Sequence, residues 1–495
     1  MDSYILAIDQ GTTSTRAVIF TKMGVAVKQH QVEFKQYFPQ DGWVEHDPEE
    51  IWQSTVTCCQ AVLQQAALSA KAIAALGISN QRETTIIWDR GSGEVIYPAI
   101  VWQDRRTANY CQQILAQPEL ANNISEKTGL IADPYFCASK IVWLLDNVPQ
   151  ARARAERGEL AFGTIDSFLL WRLTGGKQHA TDITNAARTL LFNIHTQSWD
   201  EELLTHFKIP AALLPTVLDN NAHFGNVEKS LFGHAIPITG MAGDQQAAAI
   251  GQACFTPGML KSTYGTGCFM LLNTGTTAVV SKNKLITTIA YRINQQLSYA
   301  LEGSIFIAGA AVQWLRDALH LIKQASETQK LAASVPDTGG VYLVPAFTGL
   351  GAPYWDPAAR GALLGLTRNT SIAHIVRAAL EAVCYQTADL LQALQQDDQK
   401  QKIKILRVDG GMVVNDWLLQ FLADILNITV ERPNNIETSV LGAAYLAGLG
   451  SGIYNSFADI SNLPVTYTIF TPKMLEKNRQ DLYQGWQQAV QRVAN

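Results

Sequence analysis

The chain has few of the features that mark membrane or secreted proteins. No run of roughly 18 uncharged apolar residues occurs in its 495 residues, so the sequence predicts no transmembrane helix. The N-terminus lacks a basic segment and runs directly into a strand-like stretch, which predicts no signal peptide. The 7 cysteines include no C-x-x-C pair. We therefore expect reduced, buried thiols in a cytoplasmic protein, without a disulfide or zinc framework.

Several catalytic signatures are also missing. The sequence contains no G-x-x-x-x-G-K-[ST] loop and no G-x-G-x-x-G turn, which counts against P-loop NTPases and Rossmann dehydrogenases. It contains no G-x-S-x-G elbow, no H-E-x-x-H helix and no protein-kinase H-R-D or D-F-G set. The 9 histidines are scattered, which disfavours a histidine-rich metal site. Other modes of phosphate binding stay open.

Charge and composition exclude further classes. The chain carries 38 Lys and Arg against 43 Asp and Glu, a net charge of −5 at pH 7. A nearly neutral chain has no global attraction to nucleic acid or to anionic membranes, and we expect neither as a partner. The hydrophobic fraction of 47% excludes a disordered chain.

The length of the chain predicts more than one domain, because a single core stops growing near about 250–300 residues. No charged or proline-rich linker divides the sequence. An alanine-rich stretch that ends at residue 251 gives way to a Phe-Thr-Pro-Gly segment at residues 255–258. We therefore predict one domain over residues 1–250 and a second over residues 251–495.

Strand-like and helix-like segments alternate along the chain, which predicts an α/β fold with mixed sheets. Asp47 followed by Pro48 predicts the start of one helix, and Ser371 followed by an apolar stripe at helical spacing predicts another. Two apolar runs flank the turn-forming residues 89–93, which predicts a hairpin.

Two Asp-Gly segments suit phosphate binding. Asp9 ends an apolar strand, and the Gly, Thr and Ser residues after it offer backbone N–H groups and hydroxyls, with Arg16 as an added charge. Asp409 precedes two glycines, and Asn415 then opens a helix whose first amides can meet a phosphate. Each segment alone also fits an ordinary turn. As a pair they predict duplicated half-sites that close on one nucleotide.

Two later segments suit the same ligand. Residues 261–267 interleave hydroxyl side chains with glycines, which fits a terminal phosphate, although a turn between strands explains them as well. Residues 308–316 predict a helix with Gly309 near its start, where a flat group such as adenine can approach. Taken by itself, this second segment fits a packed helix with a face of small residues better.

Polar residues in apolar surroundings indicate a substrate site. Asp244 stands in an apolar stretch and can act as a general base toward a hydroxyl, or simply cap a helix. Arg82 and Glu83 can grip vicinal hydroxyls while the ring of Trp102 covers carbon atoms. The alternative for this group is a solvated ion pair beside a core tryptophan.

Taken together, these segments resemble the FGGY carbohydrate kinases, which belong to the actin/hexokinase/Hsp70-like ATPase superfamily, and within them the group that phosphorylates glycerol. The combination of Gln-Arg-Glu, Trp-Gln-Asp-Arg-Arg and Gly-Asp-Gln-Gln is far more specific than any single loop. The resemblance runs through nearly the whole chain and is carried by residues 9–14, 80–85, 100–106, 133–136, 163–167, 242–247, 264–269, 302–306, 345–355 and 409–411.

The resemblance implies two actin-like, ribonuclease H-like ATPase domains, each with a mixed sheet flanked by helices, and a cleft between them. It implies transfer of a phosphoryl group from ATP to glycerol, which gives ADP and sn-glycerol 3-phosphate, with Mg²⁺ as the metal. It also implies a homodimer or homotetramer.

Residue roles follow from the same resemblance. The implied glycerol-binding residues are Arg82, Glu83, Trp102, Tyr135, Asp244, Gln245 and Phe269. The residues implied to hold ATP and its phosphates are Thr12, Thr13, Ser14, Arg16, Thr266, Gly309, Gln313, Gly411 and Asn415. Asp244 would take the proton of the attacking hydroxyl. Asp9 and Asp244 would position magnesium, Asp9 through water.

Two other functions stay open. One is an FGGY kinase for a different small polyol or sugar, although Trp102 and Phe269 suit a three-carbon substrate. The other is a non-catalytic actin-like or Hsp70-like ATPase. The polar set of Arg82, Glu83 and Tyr135 argues against it, because nucleotide binding alone does not require these residues.

Overall fold

The computed structural model describes residues 3–354, 356 and 358–494. Trp355, which closes one of the segments that carry the resemblance, lies outside the described residues. The strands are β1 (Tyr4–Gln10), β2 (Ser14–Thr21), β3 (Ala26–Glu33), β4 (Glu45–His46), β5 (Ile73–Asn80), β6 (Ile86–Asp89), β7 (Ala99–Ile100), β8 (Leu160–Gly163), β9 (Ala180–Asp182), β10 (Phe192–Asn193), β11 (Ser198–Trp199), β12 (Thr216–Leu218), β13 (Gly225–Asn226), β14 (Pro237–Gly243), β15 (Leu260–Tyr264), β16 (Cys268–Gly275), β17 (Ile286–Ile293), β18 (Gln296–Ile305), β19 (Tyr342–Val344), β20 (Ala362–Leu364), β21 (Ile405–Asp409), β22 (Thr429–Pro433) and β23 (Tyr467–Phe470).

The α-helices are α1 (Pro48–Gln65), α2 (Ala108–Leu115), α3 (Pro118–Thr128), α4 (Cys137–Asn147), α5 (Ala151–Glu156), α6 (Ile165–Leu173), α7 (Ile183–Ala186), α8 (Glu201–Phe207), α9 (Lys229–Phe232), α10 (Asp244–Gly251), α11 (Gly309–Asp317), α12 (Glu327–Ala333), α13 (Ile372–Asp397), α14 (Asp416–Leu426), α15 (Thr438–Gly450), α16 (Phe457–Ser461) and α17 (Glu476–Gln491). Short 3₁₀ helices occur at Ala70–Ala72, Ala211–Leu213 and Gly411–Val414. No helix in the described part of the chain combines the length and apolarity that a membrane crossing requires.

The predicted helix starts are confirmed. The Asp47 side chain accepts a hydrogen bond from the backbone of Glu49 at 2.8 Å and caps α1. Ser371 caps α13 in a capping box. The hairpin predicted around residues 89–93 is formed only in part, because Val95 makes an isolated bridge to Trp88 instead of a full strand. Proline follows at position 98 and has no N–H to extend the ladder.

Two large sheets organise the chain, and both are mixed, as predicted for the fold class. The strand order is β13-β14-β5-β1-β2-β3 in the first sheet and β17-β18-β16-β15-β21-β22-β23 in the second. In the first sheet β1 pairs antiparallel with β2 and parallel with β5, and β5 pairs parallel with β14. In the second sheet β15 pairs antiparallel with β16 and parallel with β21, and β21 pairs parallel with β22.

The two sheets therefore repeat one pattern of neighbours, and this corrects the prediction that the Asp9 and Asp409 segments are duplicated half-sites. Asp9 lies in β1, whereas Asp409 ends β21, which is the counterpart of β5. The counterpart of the loop at residues 11–13 is the loop at residues 265–267, since each joins the first two antiparallel strands of its sheet. Asp and Gly recur where β1 and β21 end because tight turns favour both residue types.

Helix α15 comes late in the chain but packs on the first sheet, where its apolar residues share one buried cluster with Ile5 and Ala7 of β1. It also crosses α10 at very short range. A Cβ on Gly442 would lie 1.8 Å from the carbonyl oxygen of Ala247, so only glycine permits this crossing. The predicted domain boundary between residues 250 and 251 falls at the end of α10 and stays a prediction.

Candidate active site

A tight turn after β5 carries the two charged residues of the predicted polyol site. The N–H of Thr84 donates to the carbonyl of Arg82 at 2.7 Å and closes the backbone around Glu83. Glu83 has a φ of 61°, a left-handed conformation that costs a non-glycine residue about 1–3 kcal/mol and is concentrated at functional sites. Arg82 and Glu83 are 3% and 1% exposed, so the alternative of a solvated ion pair is wrong.

Two further charged side chains hold this pair. The NH1 and NH2 groups of Arg82 donate to the two carboxylate oxygens of Glu302 at 2.5 and 3.1 Å. Arg188 donates from Nε to Glu83 at 2.6 Å and from NH2 to Glu302 at 2.9 Å. Burial alone would raise the pKa of Glu302, but Arg188 and Arg82 lower it to about 2. Burial raises the pKa of Glu83, and the two arginines oppose that effect.

Three aromatic rings surround the same turn. Trp102 packs edge-to-face against Tyr135 and Phe269, with ring centroids 5.7 and 6.1 Å apart. The Arg82 guanidinium lies 5.8 Å from the Phe269 ring and donates to the Tyr135 hydroxyl at 3.4 Å. The rings offer apolar surface to the carbon atoms of a small polyol, and the charged pair offers donors and acceptors to its hydroxyls.

Asp244 stands at the rim of this pocket. It is the first residue of α10, and Gly243, not Asp244, is the N-cap. Its Oδ1 accepts from the backbone N–H of Gln245 at 2.7 Å and lies 3.3 Å from Nε of Arg82. Both contacts use Oδ1 and the side chain is 31% exposed, so the second oxygen can face a substrate hydroxyl.

Gln245 is oriented by a buried lysine. The ammonium of Lys261 donates to Oε1 of Gln245 at 2.5 Å and to the Thr263 hydroxyl at 2.9 Å. Burial lowers the pKa of Lys261, while Asp409 and Asp244 oppose that effect. Because the amide oxygen of Gln245 is bound to the ammonium, its NH₂ group is the end left to donate to a ligand.

The first predicted phosphate loop, residues 11–13, is joined by a hydrogen bond to the predicted polyol pocket. The indole Nε1 of Trp102 donates to the Thr12 hydroxyl at 2.9 Å. Thr13 is exposed in the same loop, and the Ser14 hydroxyl accepts from Gln31 at 2.8 Å. Arg16 donates to the same Gln31 at 2.7 Å and forms an ion pair with Glu437.

The second phosphate loop, residues 265–267, meets the start of α11. The Thr266 carbonyl accepts from the N–H groups of Ala308 and Ala310, each at 3.0 Å, and Thr266 itself is exposed. A Cβ on Gly309 would lie 2.6 Å from the Gly265 carbonyl oxygen, so glycine is required for this contact. Gly309, predicted near a helix start, is the first residue of α11.

The remaining predicted nucleotide residues lie on nearby elements. A Cβ on Gly411 would have open space within 4 Å, which leaves room for a ligand against the backbone. The neighbouring Met412 lies within 3.6 Å of the Cβ position at Gly309, so these two segments are adjacent. Gln313 is exposed on α11. Asn415 caps α14, as predicted, by accepting from the N–H of Leu418 at 3.0 Å.

Asp9 and Asp244 are close enough for their charges to interact. Burial raises the pKa of Asp9 to about 7, Arg16 opposes the increase, and the Asp244 carboxylate adds to it. Two hard oxygen donors that repel one another fit a Mg²⁺ ion that arrives with phosphates and keeps several waters. The described residues contain no group of three or more His, Cys, Asp or Glu side chains that could hold a metal.

Sequence reasoning gave no role to Arg188, Glu302 or Lys261. Each is a charged side chain that the fold buries completely or almost completely. Glu302 and Lys261 stand within strands, which is the signal that could have identified them, because an ionised group in a buried strand needs a partner. Arg188 follows a short helix, and nothing in its local sequence marks it.

Comparison with known proteins gives matches over the whole chain. Residues 4–251 match the model of the FGGY family of carbohydrate kinases, N-terminal domain, and residues 260–451 match the model of the C-terminal domain of the same family.

Among curated proteins, the glycerol kinase of Coxiella burnetii (strain Dugway 5J108-111) is 63% identical, over 100% of this chain and 98% of the relative. Glycerol kinase 1 of Pseudomonas aeruginosa is 62% identical, over 100% of this chain and 99% of the relative. Among solved structures, the Plasmodium falciparum glycerol kinase with ADP is 39% identical and has a TM-score of 0.92, over 100% of this chain and 99% of that chain. A gluconate kinase from Lactobacillus acidophilus, 23% identical with a TM-score of 0.88, shares the fold over 100% of this chain and 99% of that chain.

Proposed function

The chain belongs to the FGGY family of carbohydrate kinases, and from that premise we propose that it is a glycerol kinase. It transfers a phosphoryl group from ATP to glycerol and produces ADP and sn-glycerol 3-phosphate. Full-length relatives that are 62–63% identical carry this activity in their names. The structural observation that carries the proposal is the buried Arg82–Glu83 turn, which three aromatic rings surround and which Asp244 borders.

The size and polarity of this pocket suit glycerol. A three-carbon triol offers little apolar area, so its recognition depends on paired hydrogen bonds to Arg82, Glu83 and Gln245. A site of this kind rejects analogues that lack a hydroxyl, because they leave buried polar groups without a partner. Trp102 is in edge-to-face contact with Tyr135 and Phe269, and we expect this wall of large rings to favour a three-carbon substrate over a longer chain.

Asp244 is the general base in this account. The primary hydroxyl oxygen of glycerol attacks the γ-phosphorus of ATP, the bond from that phosphorus to the β–γ bridging oxygen breaks, and ADP leaves. The hydroxyl proton passes to the Asp244 carboxylate. Phosphoryl transfer needs mainly in-line positioning and charge stabilisation. The contact between Asp244 Oδ1 and Arg82 Nε, 3.3 Å long, orients the carboxylate toward the pocket.

The two hairpin loops hold the nucleotide from both sheets. Thr12, Thr13 and Ser14 belong to the first loop and Thr266 to the second, and their hydroxyls and backbone N–H groups can bind the phosphates. Gly309, Gln313, Gly411 and Asn415 lie toward the nucleoside. Arg16, which also forms an ion pair with Glu437, adds a positive charge to the phosphate region. Asp9 and Asp244 would hold Mg²⁺, which neutralises phosphate oxygens when bound.

A polyol panel tests the proposal against the other FGGY activities. ADP release is measured with Mg-ATP and glycerol, dihydroxyacetone, erythritol or ribitol in parallel. We expect turnover with glycerol well above that with the four- and five-carbon polyols. Faster turnover with ribitol or erythritol would favour a kinase for another polyol. Equal, slow ADP release with and without any polyol would favour a non-catalytic actin-like ATPase.

A further inference from the structure

Four buried side chains form a connected set of ion pairs at the predicted polyol pocket. We call Arg82, Glu83, Arg188 and Glu302 the ion quartet. Glu302 accepts from Arg82 at 2.5 and 3.1 Å and from Arg188 at 2.9 Å, and Arg188 donates to Glu83 at 2.6 Å. The side chains of Arg188 and Glu302 have no exposed surface. With two positive and two negative members, the quartet balances its own charge.

Arg82 and Glu83 are the members of the quartet that are predicted to bind the polyol, and we call them the front residues. Arg82 reaches the Tyr135 hydroxyl and Asp244, and Glu83 stands next to it in the strained turn. Arg188 and Glu302, which we call the rear residues, are fully buried. Each of the two rear residues fixes one front residue, Glu302 by a bidentate contact to Arg82 and Arg188 by its Nε bond to Glu83.

The rear residues also fix the front residues relative to each other. The bond from Arg188 NH2 to Glu302 joins the two contacts, so neither Arg82 nor Glu83 can turn without breaking a charged hydrogen bond. Glu302 comes from β18, which pairs with β16, the strand that carries the Phe269 wall. The quartet thus connects Arg82 and Glu83, which are proposed to bind the hydroxyls, to the strand pair of the second sheet that carries Phe269.

We propose that Arg188 and Glu302 are positioning residues for polyol recognition: they hold Arg82 and Glu83 in the one arrangement that reads the hydroxyls of the substrate. This inference rests on the proposed function and adds to it the residues that set its selectivity. Neither residue is expected to touch the substrate. Their loss should therefore change the fit of the polyol and leave the nucleotide site as it is.

The test uses Arg188→Lys in the full-length protein. Lysine keeps the positive charge but cannot bind Glu83 and Glu302 together through a planar fork. We expect KM for glycerol to rise about tenfold or more, which is the effect of losing a charged hydrogen bond. KM for ATP should stay within about twofold. The preference for glycerol over 1,2-propanediol in kcat/KM should shrink, because a displaced Arg82–Glu83 pair no longer penalises the missing hydroxyl.

Arg292→Lys is the matched control. Arg292 forms a buried ion pair with Asp219 that also joins the two halves of the chain, and in the described part of the chain it shares no ion pair with the quartet. A loss that is merely structural should appear in both variants as a lower midpoint of thermal unfolding. The shift in KM for glycerol and in polyol preference should appear only in Arg188→Lys.

Glu302→Gln changes the other partner of the Arg188–Glu302 contact. If Arg188→Lys does not fold, the glycerol affinity of Glu302→Gln, measured by calorimetry with ADP present, tests the inference instead. Weaker glycerol binding with unchanged ADP binding supports the inference. Wild-type KM for glycerol and wild-type polyol preference in Arg188→Lys, or unchanged glycerol binding in Glu302→Gln, would overturn it. A wild-type protein that phosphorylates no glycerol would instead contradict the proposed function.

Discussion

The indole N–H of Trp102 donates a 2.9 Å hydrogen bond to the hydroxyl of Thr12. This bond connects the aromatic wall of the polyol pocket with the first phosphate loop. In the proposed reaction this bond would link the glycerol site to the loop proposed to hold the phosphates.

Trp102→Phe removes the bond and keeps an apolar ring in the wall. A neutral hydrogen bond contributes about 1 kcal/mol, so kcat/KM should fall by roughly fivefold, mainly through KM for ATP. Steady-state kinetics with each substrate varied separately measures this change. Thr12→Val is the partner variant, and the double variant should lose no more than either single one. Additive losses would show that the two residues act independently.

Asp244→Asn should separate chemistry from binding. Asparagine keeps the size of the side chain and an oxygen for Arg82, but it accepts no proton from the attacking hydroxyl. General-base catalysis contributes about 10²–10⁴-fold, and kcat should fall within that range. ADP binding by calorimetry should change little. A kcat within a few-fold of wild type would remove Asp244 from the role of base.

Gly309→Ala and Gly411→Ala form a matched pair in the nucleotide region. A Cβ at Gly309 would meet the Gly265 carbonyl oxygen at 2.6 Å, whereas a Cβ at Gly411 would meet nothing within 4 Å. We therefore expect Gly309→Ala to lower both the unfolding temperature and ATP affinity, because α11 must move away from the Thr266 loop. Gly411→Ala should lower only ATP affinity. Unchanged ATP affinity in Gly411→Ala would place the nucleotide elsewhere.

Asp389 should make stability depend on pH. Burial raises its pKa to about 6, although hydrogen bonds from Tyr483, Trp486 and Tyr354 oppose the increase. The folded pKa exceeds the unfolded value of 3.8, so the folded state gains stability from the bound proton at low pH. That stability is lost as pH rises from about 4 through about 6, with a cost on the order of 2–3 kcal/mol above this window.

Asp389→Asn removes this titration and retains the hydrogen bonds, since the amide can accept from Trp486 and donate to the Tyr483 hydroxyl. The difference in unfolding temperature, variant minus wild type, should be more positive at pH 7.5 than at pH 4.5. Circular dichroism melts at the two pH values provide the comparison. A difference between variant and wild type that does not change with pH would contradict the assignment.

Local patterns allowed much of the fold to be predicted from the sequence. The caps at Asp47, Ser371 and Asn415 depend on side chains that bind the adjacent backbone, so they are visible in a few residues of sequence. The mixed sheets follow from the alternation of strands and helices. The group of Arg82, Glu83 and Trp102 was proposed from the residues themselves, and a resemblance over nearly the whole chain added Tyr135 and Phe269. The structure brings these residues together.

Contacts between distant segments were not predictable in this way. Glu302 lies 220 residues from Arg82 along the chain, and no local rule links them. The prediction that the Asp9 and Asp409 segments are equivalent half-sites was wrong for a related reason. Their turns look alike in sequence, but they follow strands that are not counterparts in the two sheets. The role of Arg16 at the phosphates stays a prediction, and its ion pair with Glu437 was not predictable because it depends on how α15 docks on the first sheet.

The most direct test of the central claim is the identity of the product. The protein is incubated with Mg-ATP and glycerol, the products are followed by phosphorus NMR, and the phosphorylated polyol is treated with a dehydrogenase specific for sn-glycerol 3-phosphate. The account predicts one phosphomonoester per ADP formed and its complete oxidation by that enzyme. ADP accompanied by inorganic phosphate alone, or a phosphomonoester that the enzyme does not oxidise, would contradict it.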